Sequence, residues 1–145
     1  MTENQVPVFQ IVRVYLKDAS LEQPNSPALL VNTQTPEISI QLGVGVEQLS
    51  AEQVEVTVQA TVTSNIGEKT LFLIEAKQAG IFLTQHIPQE QMGSLLGSVC
   101  PQIIYPYLRS NVADLVQRAG FPPVHLHEVN FQALYQQQLE QAAQA

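Results

Sequence analysis

The sequence predicts an α+β fold: a four-stranded antiparallel sheet followed by helices. Three observations carry this. Apolar residues alternate with polar ones at period two through the first half of the chain, and from Pro88 they recur at helical spacing. No repeat, charge block or long linker divides the 145 residues, a usual size for one domain. Strands first and helices second favour a single α+β unit spanning 1–145, with both termini expected to be flexible.

Phe9 to Asp18 is rich in β-branched and aromatic residues and reads as a strand that is apolar on both faces. Ser20 to Pro36 contains Pro24, Pro27 and Pro36 and reads as a long irregular connection. Its middle, Ala28-Leu29-Leu30-Val31, is apolar and must pack on something. Glu37 to Val44 alternates, with Ile38, Ile40, Leu42 and Val44 on one face. Val54 to Ser64 alternates again, with Val54, Val56, Val58, Ala60 and Val62 on the face expected to be buried. Asn65-Ile66-Gly67-Glu68 reads as the turn of a hairpin to Thr70–Leu83. That strand begins Leu71-Phe72-Leu73-Ile74, which suggests a sheet covered on both sides.

Met92, Leu95, Leu96 and Val99 lie on one helical face. Cys100-Pro101 is expected to interrupt this helix and start the longest one, Gln102 to Arg118, whose broad apolar stripe predicts burial on most sides. Gly120 and Pro122-Pro123 end it. Asn130 can cap a last helix carrying Phe131, Leu134, Tyr135 and Leu139. The Gln/Ala-rich tail is expected to lose order.

Composition excludes several functions. Only 13% of residues are charged, against roughly 25% in an average chain. Thirteen acids face six bases, giving a net charge of −7, while glutamine fills the polar deficit. Six scattered bases cannot neutralise nucleic-acid phosphates or an anionic membrane surface. No apolar run approaches the roughly 18–20 residues of a membrane span, and Met1 to Gln5 has no secretory-signal character. The lone Cys100 forbids an internal disulfide, so a reduced cytoplasmic protein is expected. Low charge with 45% hydrophobic residues further predicts apolar surface that meets other chains.

No catalytic constellation emerges. Cys100 with His86, His125 or His127 could make a nucleophile pair, but a cysteine on an apolar helix face is more often a small core residue. His125-x-His127 with Glu128 lacks the ligand set that zinc wants, so neither metal nor cofactor is expected. Gly43-Val44-Gly45-Val46 lacks the third glycine and the lysine of a phosphate loop. A binding protein is the better reading.

The acids suggest where. Asp18 and Glu22 lie just beyond the first strand, and Glu75 shares a face with Leu73 on the fourth. If the sheet places these strands together, an acidic patch with an apolar centre would attract a basic partner segment. Otherwise they are ordinary solvated surface.

Four stretches in order resemble the SecB family of export chaperones. They are Phe9-x-Ile11-x-Arg13-x-Tyr15-x-Lys17-Asp18-x-Ser20-x-Glu22-x-Pro24-x-x-Pro27, Cys100-Pro101-x-x-x-x-Pro106-Tyr107-x-Arg109, Gly120-Phe121-Pro122-Pro123 and Asn130-Phe131-x-x-Leu134. The likeness covers about residues 8–140. It implies a non-enzymatic homotetramer, a dimer of dimers, that binds unfolded precursor polypeptides without ATP. It also implies delivery to the motor ATPase SecA, whose basic zinc-bearing C-terminal segment docks on the sheet. The docking positions fall on Asp18, Glu22, Leu73 and Glu75, and positions affecting subunit assembly on Ile74, Ala76 and Gln78. Any zinc then belongs to the partner. A client groove is expected under Leu29, Leu30 and Val31, against Phe82 and the main helix near Tyr105, although each of these serves equally well as ordinary core. Gln34 stands where the family commonly has a loop tryptophan, and the tail from Gln138 retains only Glu140 as an acid. The rival reading is a SecB-like chaperone or scaffold dedicated to one client, of the antitoxin type.

Overall fold

The structure is a computed structural model and describes residues 5–144. The chain forms β1 (Val8–Glu22), β2 (Glu37–Gln48), β3 (Gln53–Ile66) and β4 (Lys69–Gln85). Three helices follow: α1 (Gln89–Ser94), α2 (Cys100–Arg118) and α3 (Phe131–Gln144). The four strands make one antiparallel sheet in the order β1-β4-β3-β2. β2, β3 and β4 form a meander, and β1 returns beside β4 through the long connection, which is Greek-key order. The β3–β4 turn is tight because Gly67 takes a φ of 62°, where side chains are strained.

Alternation decides the faces. Val54, Val56, Val58, Ala60 and Val62 of β3 stand beside Phe82, Gly80, Gln78, Ala76 and Ile74 of β4. α2 lies on this side and contributes Ile104, Leu108, Val112 and Val116 to the same core. Gly80 permits the approach: a Cβ there would lie 2.9 Å from the Phe82 ring and 3.4 Å from Ile104 Cδ1. Among the described residues this is the only helical layer. Leu71 joins the core on the helix side, while Leu73, Ile81 and Leu83 stay partly exposed, so within the subunit the expectation of a sheet covered on both sides is corrected.

Two helix expectations also change. Cys100-Pro101 does not break the helix. Cys100 keeps helical φ and ψ, and the chain runs continuously from α1 through a π turn at Leu95–Val99 into α2. Proline at 101 has no N–H for the preceding turn and its ring crowds the carbonyl there, which the wider π turn accommodates. The tail, expected to lose order, stays helical to Gln144. Gln and Ala are good helix formers. Asn130 caps this helix as expected, its Oδ1 accepting from the Ala133 N–H at 3.0 Å.

Candidate polypeptide-binding surfaces

The open face of the sheet gathers the four residues grouped from the sequence. On β1 and β4, Asp18 pairs with Lys77, Ser20 with Glu75 and Glu22 with Leu73. Paired residues share a face, so Asp18, Glu22 and Glu75 lie on the same side as Leu73, away from α2, with Lys77 opposite Asp18. Simple alternation would not do this. Leu16 pairs with Gln78 on the helix side, so an unbroken strand would turn Asp18 inward as well. The register instead shifts between Leu16 and Asp18, leaving Lys17 as an extra residue. This β-bulge turns Asp18 outward beside Glu75 and Glu22.

A buried carboxylate adjoins the bulge. Glu55 of β3 is 6% exposed. Its Oε1 accepts from Lys17 Nζ at 2.7 Å, and its Oε2 accepts from the Tyr15 hydroxyl, which reaches across β4 above the buried Ala79. The Lys17 and Tyr15 hydrogen bonds hold the Glu55 carboxyl below its usual range, against an opposing effect of burial. Burial and the neighbouring Glu55 push the Tyr15 hydroxyl up to about 12. Nothing in the spacing of the sequence pairs these three residues.

The second surface is an apolar row on β2. Ile38, Ile40, Leu42, Val44 and Val46 stand beside the core residues Ser64, Val62, Ala60, Val58 and Val56. Yet they are 38–50% exposed, because β2 is the far edge strand and α2 packs over β4 and β3. The alternation was legible; the exposure was not, since edge and central strands alternate alike. Leu30 and Val31 of the loop are also apolar and exposed, at 40% and 81%. Leu29 packs against the core. Asn25 Nδ2 donates to the Thr70 carbonyl at 2.9 Å, which places the loop at the β3–β4 hairpin end of the sheet, where β2 begins. Gln34 is exposed and its N–H donates to Asn32 Oδ1.

Two members of the expected groove take the ordinary-core alternative within the subunit. Phe82 is wholly buried at the opposite end of β4, stacked on Phe9 with ring centroids 5.4 Å apart. Tyr105 is also buried, edge-on to Phe131, with its hydroxyl bonded to the His127 carbonyl. The residues expected to affect assembly, Ile74, Ala76 and Gln78, lie inside the subunit as well. Gln78 Oε1 accepts from Asn111 Nδ2 of α2 at 2.7 Å, so this row seats α2 rather than facing solvent.

Cys100 is a buried core residue, and burial pushes its thiol up to about 12, far from a nucleophile's range. His125, His127 and Glu128 are exposed. No group of three His, Cys, Asp or Glu side chains among the described residues could hold a metal. No helix among them is long and apolar enough to cross a membrane.

An acidic sheet face and a separate apolar edge, with no catalytic or metal-binding group among the described residues, fit a polypeptide-binding protein of the chaperone class. Comparison with known proteins agrees. The family model "Preprotein translocase subunit SecB" matches residues 2–142. The chain belongs to the SecB family, whose members are export chaperones and not enzymes. It is similar to the Protein-export protein SecB of Albidiferax ferrireducens, 62% identical over 138 residues, covering 95% of this chain and 89% of that one. SecB 1 of Polaromonas naphthalenivorans is 61% identical and covers 98% of this chain and 92% of its own. Among solved structures, a SecB-like chaperone of Mycobacterium tuberculosis, in complex with a peptide from an antitoxin, shares the fold. Its TM-score is 0.67 at 18% identity, covering 83% of this chain and 90% of that one.

Proposed function

We propose that this SecB chain holds unfolded precursor segments on the β2 edge and its loop, and hands them over through the acidic sheet face to SecA in the cytoplasm. Support for the holding site is the β2 row, five aliphatic side chains left half-exposed beside the core. Covering apolar surface contributes about 25 cal/mol per Å². One row therefore contributes only a few kcal/mol, which ordering the client largely offsets. Tight holding needs several rows acting together, which fits a homotetramer in which each subunit adds effective concentration for the same client. No contact on this edge requires a particular client sequence. Folded proteins escape because their apolar segments are already covered.

Self-association has its own support in β1, an edge strand whose Ile11, Val12 and Leu16 are half-exposed. A long apolar edge left open invites aggregation unless another chain covers it. Ile74, Ala76 and Gln78 then affect assembly indirectly, by seating α2.

The docking reading rests on one observation: three carboxylates and Leu73 share one patch on the open face. A basic, zinc-bearing segment of SecA suits it by charge, and the zinc belongs to that partner. The decisive variant is Glu75→Lys, studied by calorimetry with SecA and by sedimentation with an unfolded precursor. Docking should be lost while client holding and assembly persist, and wild-type docking should weaken as salt rises. Undiminished SecA affinity in the variant would remove the assignment. Identity near 60% to export proteins favours this reading over a chaperone dedicated to one antitoxin.

A further inference from the structure

Glu55 is the only buried carboxylate among the described residues, and the docking patch does not include it. It sits on β3, two strands away from Asp18. Resting on the docking reading above, we propose that Glu55 is a positioning residue for SecA docking. Through Lys17 it holds the β1 bulge that turns Asp18 onto the docking face.

The geometry carries this in three steps. A bulge leaves one residue outside the ladder, so the backbone pairing does not hold its side chain. Here that residue is Lys17, and its ammonium reaches Glu55 at 2.7 Å. Tyr15, two residues earlier, donates to the same carboxylate, so both outward side chains that precede Asp18 are tied to one point. Finally, Glu55 pairs directly with Glu47 of β2, also on the open face. Two carboxylates side by side repel each other. Glu55→Gln removes that repulsion together with the Lys17 ion pair, so a purely stabilising role is a poor account of a buried acid at this place.

Charge alone predicts the opposite sign for one variant. Removing the positive Lys17 beside an acidic patch should strengthen docking of a basic segment. Loss of the bulge anchor should weaken it. The experiment measures binding of purified SecA by calorimetry for wild type, Lys17→Met, Lys17→Arg, Glu55→Gln and the Lys17→Met/Glu55→Gln pair. Thermal midpoints and holding of an unfolded precursor are measured in parallel. Lys17→Met and Glu55→Gln should each weaken docking about tenfold, with the double variant no worse than either single. Lys17→Arg should keep docking near wild type, and Glu55→Gln, which leaves no unpaired buried charge, should keep the wild-type midpoint and holding. Tighter docking in Lys17→Met, additive losses in the pair, or losses that track thermal stability would each overturn the proposal. Glu75→Lys separates the two readings: if it docks normally, the patch itself is misassigned, whereas its loss beside an unaffected Glu55→Gln sinks only the positioning role.

Discussion

The two edges of this sheet are both long and both unpaired, yet they are built differently. β1 carries two register shifts, near Val12 and near Lys17. It is held by side chains: Phe9 stacks on Phe82, and Tyr15 and Lys17 reach across to Glu55. β2 pairs with β3 in unbroken register from Glu37 to Gln48, and among the described residues it is tied by a side chain only at its end, where Gln48 Nε2 donates to the Gln53 carbonyl. Its outward positions include Gly43 and Gly45, where an added Cβ would meet nothing within 4 Å. Bulges and inserted charge blunt an edge against indiscriminate pairing, whereas a straight apolar edge accepts many partners. On the reading proposed above, the anchored edge suits a second copy of the chain, with the docking face beside it, and the plain edge suits unfolded chains of any sequence.

The largest expected effect breaks the comparison if it fails. Phe9→Ala should cost about 2–3 kcal/mol in urea unfolding, because it empties the stack on buried Phe82. Val44→Ala, on the plain edge, should cost under about 0.5 kcal/mol. Equal losses would mean that the two edges are held alike. A smaller effect sharpens the functional side. Leu42→Asp with Val44→Asp should weaken holding of an unfolded precursor about tenfold, near 1.4 kcal/mol, with SecA docking unchanged. Holding at wild-type strength would move the client site off β2. The smallest is a rate. With its thiol pushed up to about 12, Cys100 should alkylate very slowly at pH 8. That rate should rise in Phe9→Ala, which loosens the core, and stay low in the β2 pair. A fast rate in the β2 pair would show that this edge and the core open together.

Much of the site was legible for a simple reason. Period-two alternation sorts side chains by face, so spacing alone puts Leu73 and Glu75 on one face of β4. The same rule fails at Asp18, whose outward position depends on the bulge at Lys17. It fails differently at β2, where the pattern correctly grouped Ile38 to Val44 and the helix layer does not extend to cover them. Phe82 and Tyr105 look like groove aromatics in a linear reading. The register carries Phe82 to the end of the sheet away from the loop, and α3 packs Phe131 against Tyr105. The tail reads as polar and weak, yet it stays helical. Tyr135 seats against Gly93 and Gly97, which lack the Cβ atoms that would collide with it.

The sequence by itself determined the α+β class, the order of elements, the face of each strand residue wherever the register is unbroken, and the family. These depend on local periodicity and on motifs read in order. Only the tertiary structure decided which strands lie at the edges, where the register slips and how far α2 reaches. Those depend on pairings between residues dozens of positions apart, such as Lys17 with Glu55 and Asn111 with Gln78. From that packing come the buried Phe82, the exposed β2 row and the outward Asp18. A one-dimensional pattern records which side chains can share a face, and packing selects which of those faces another chain can still reach.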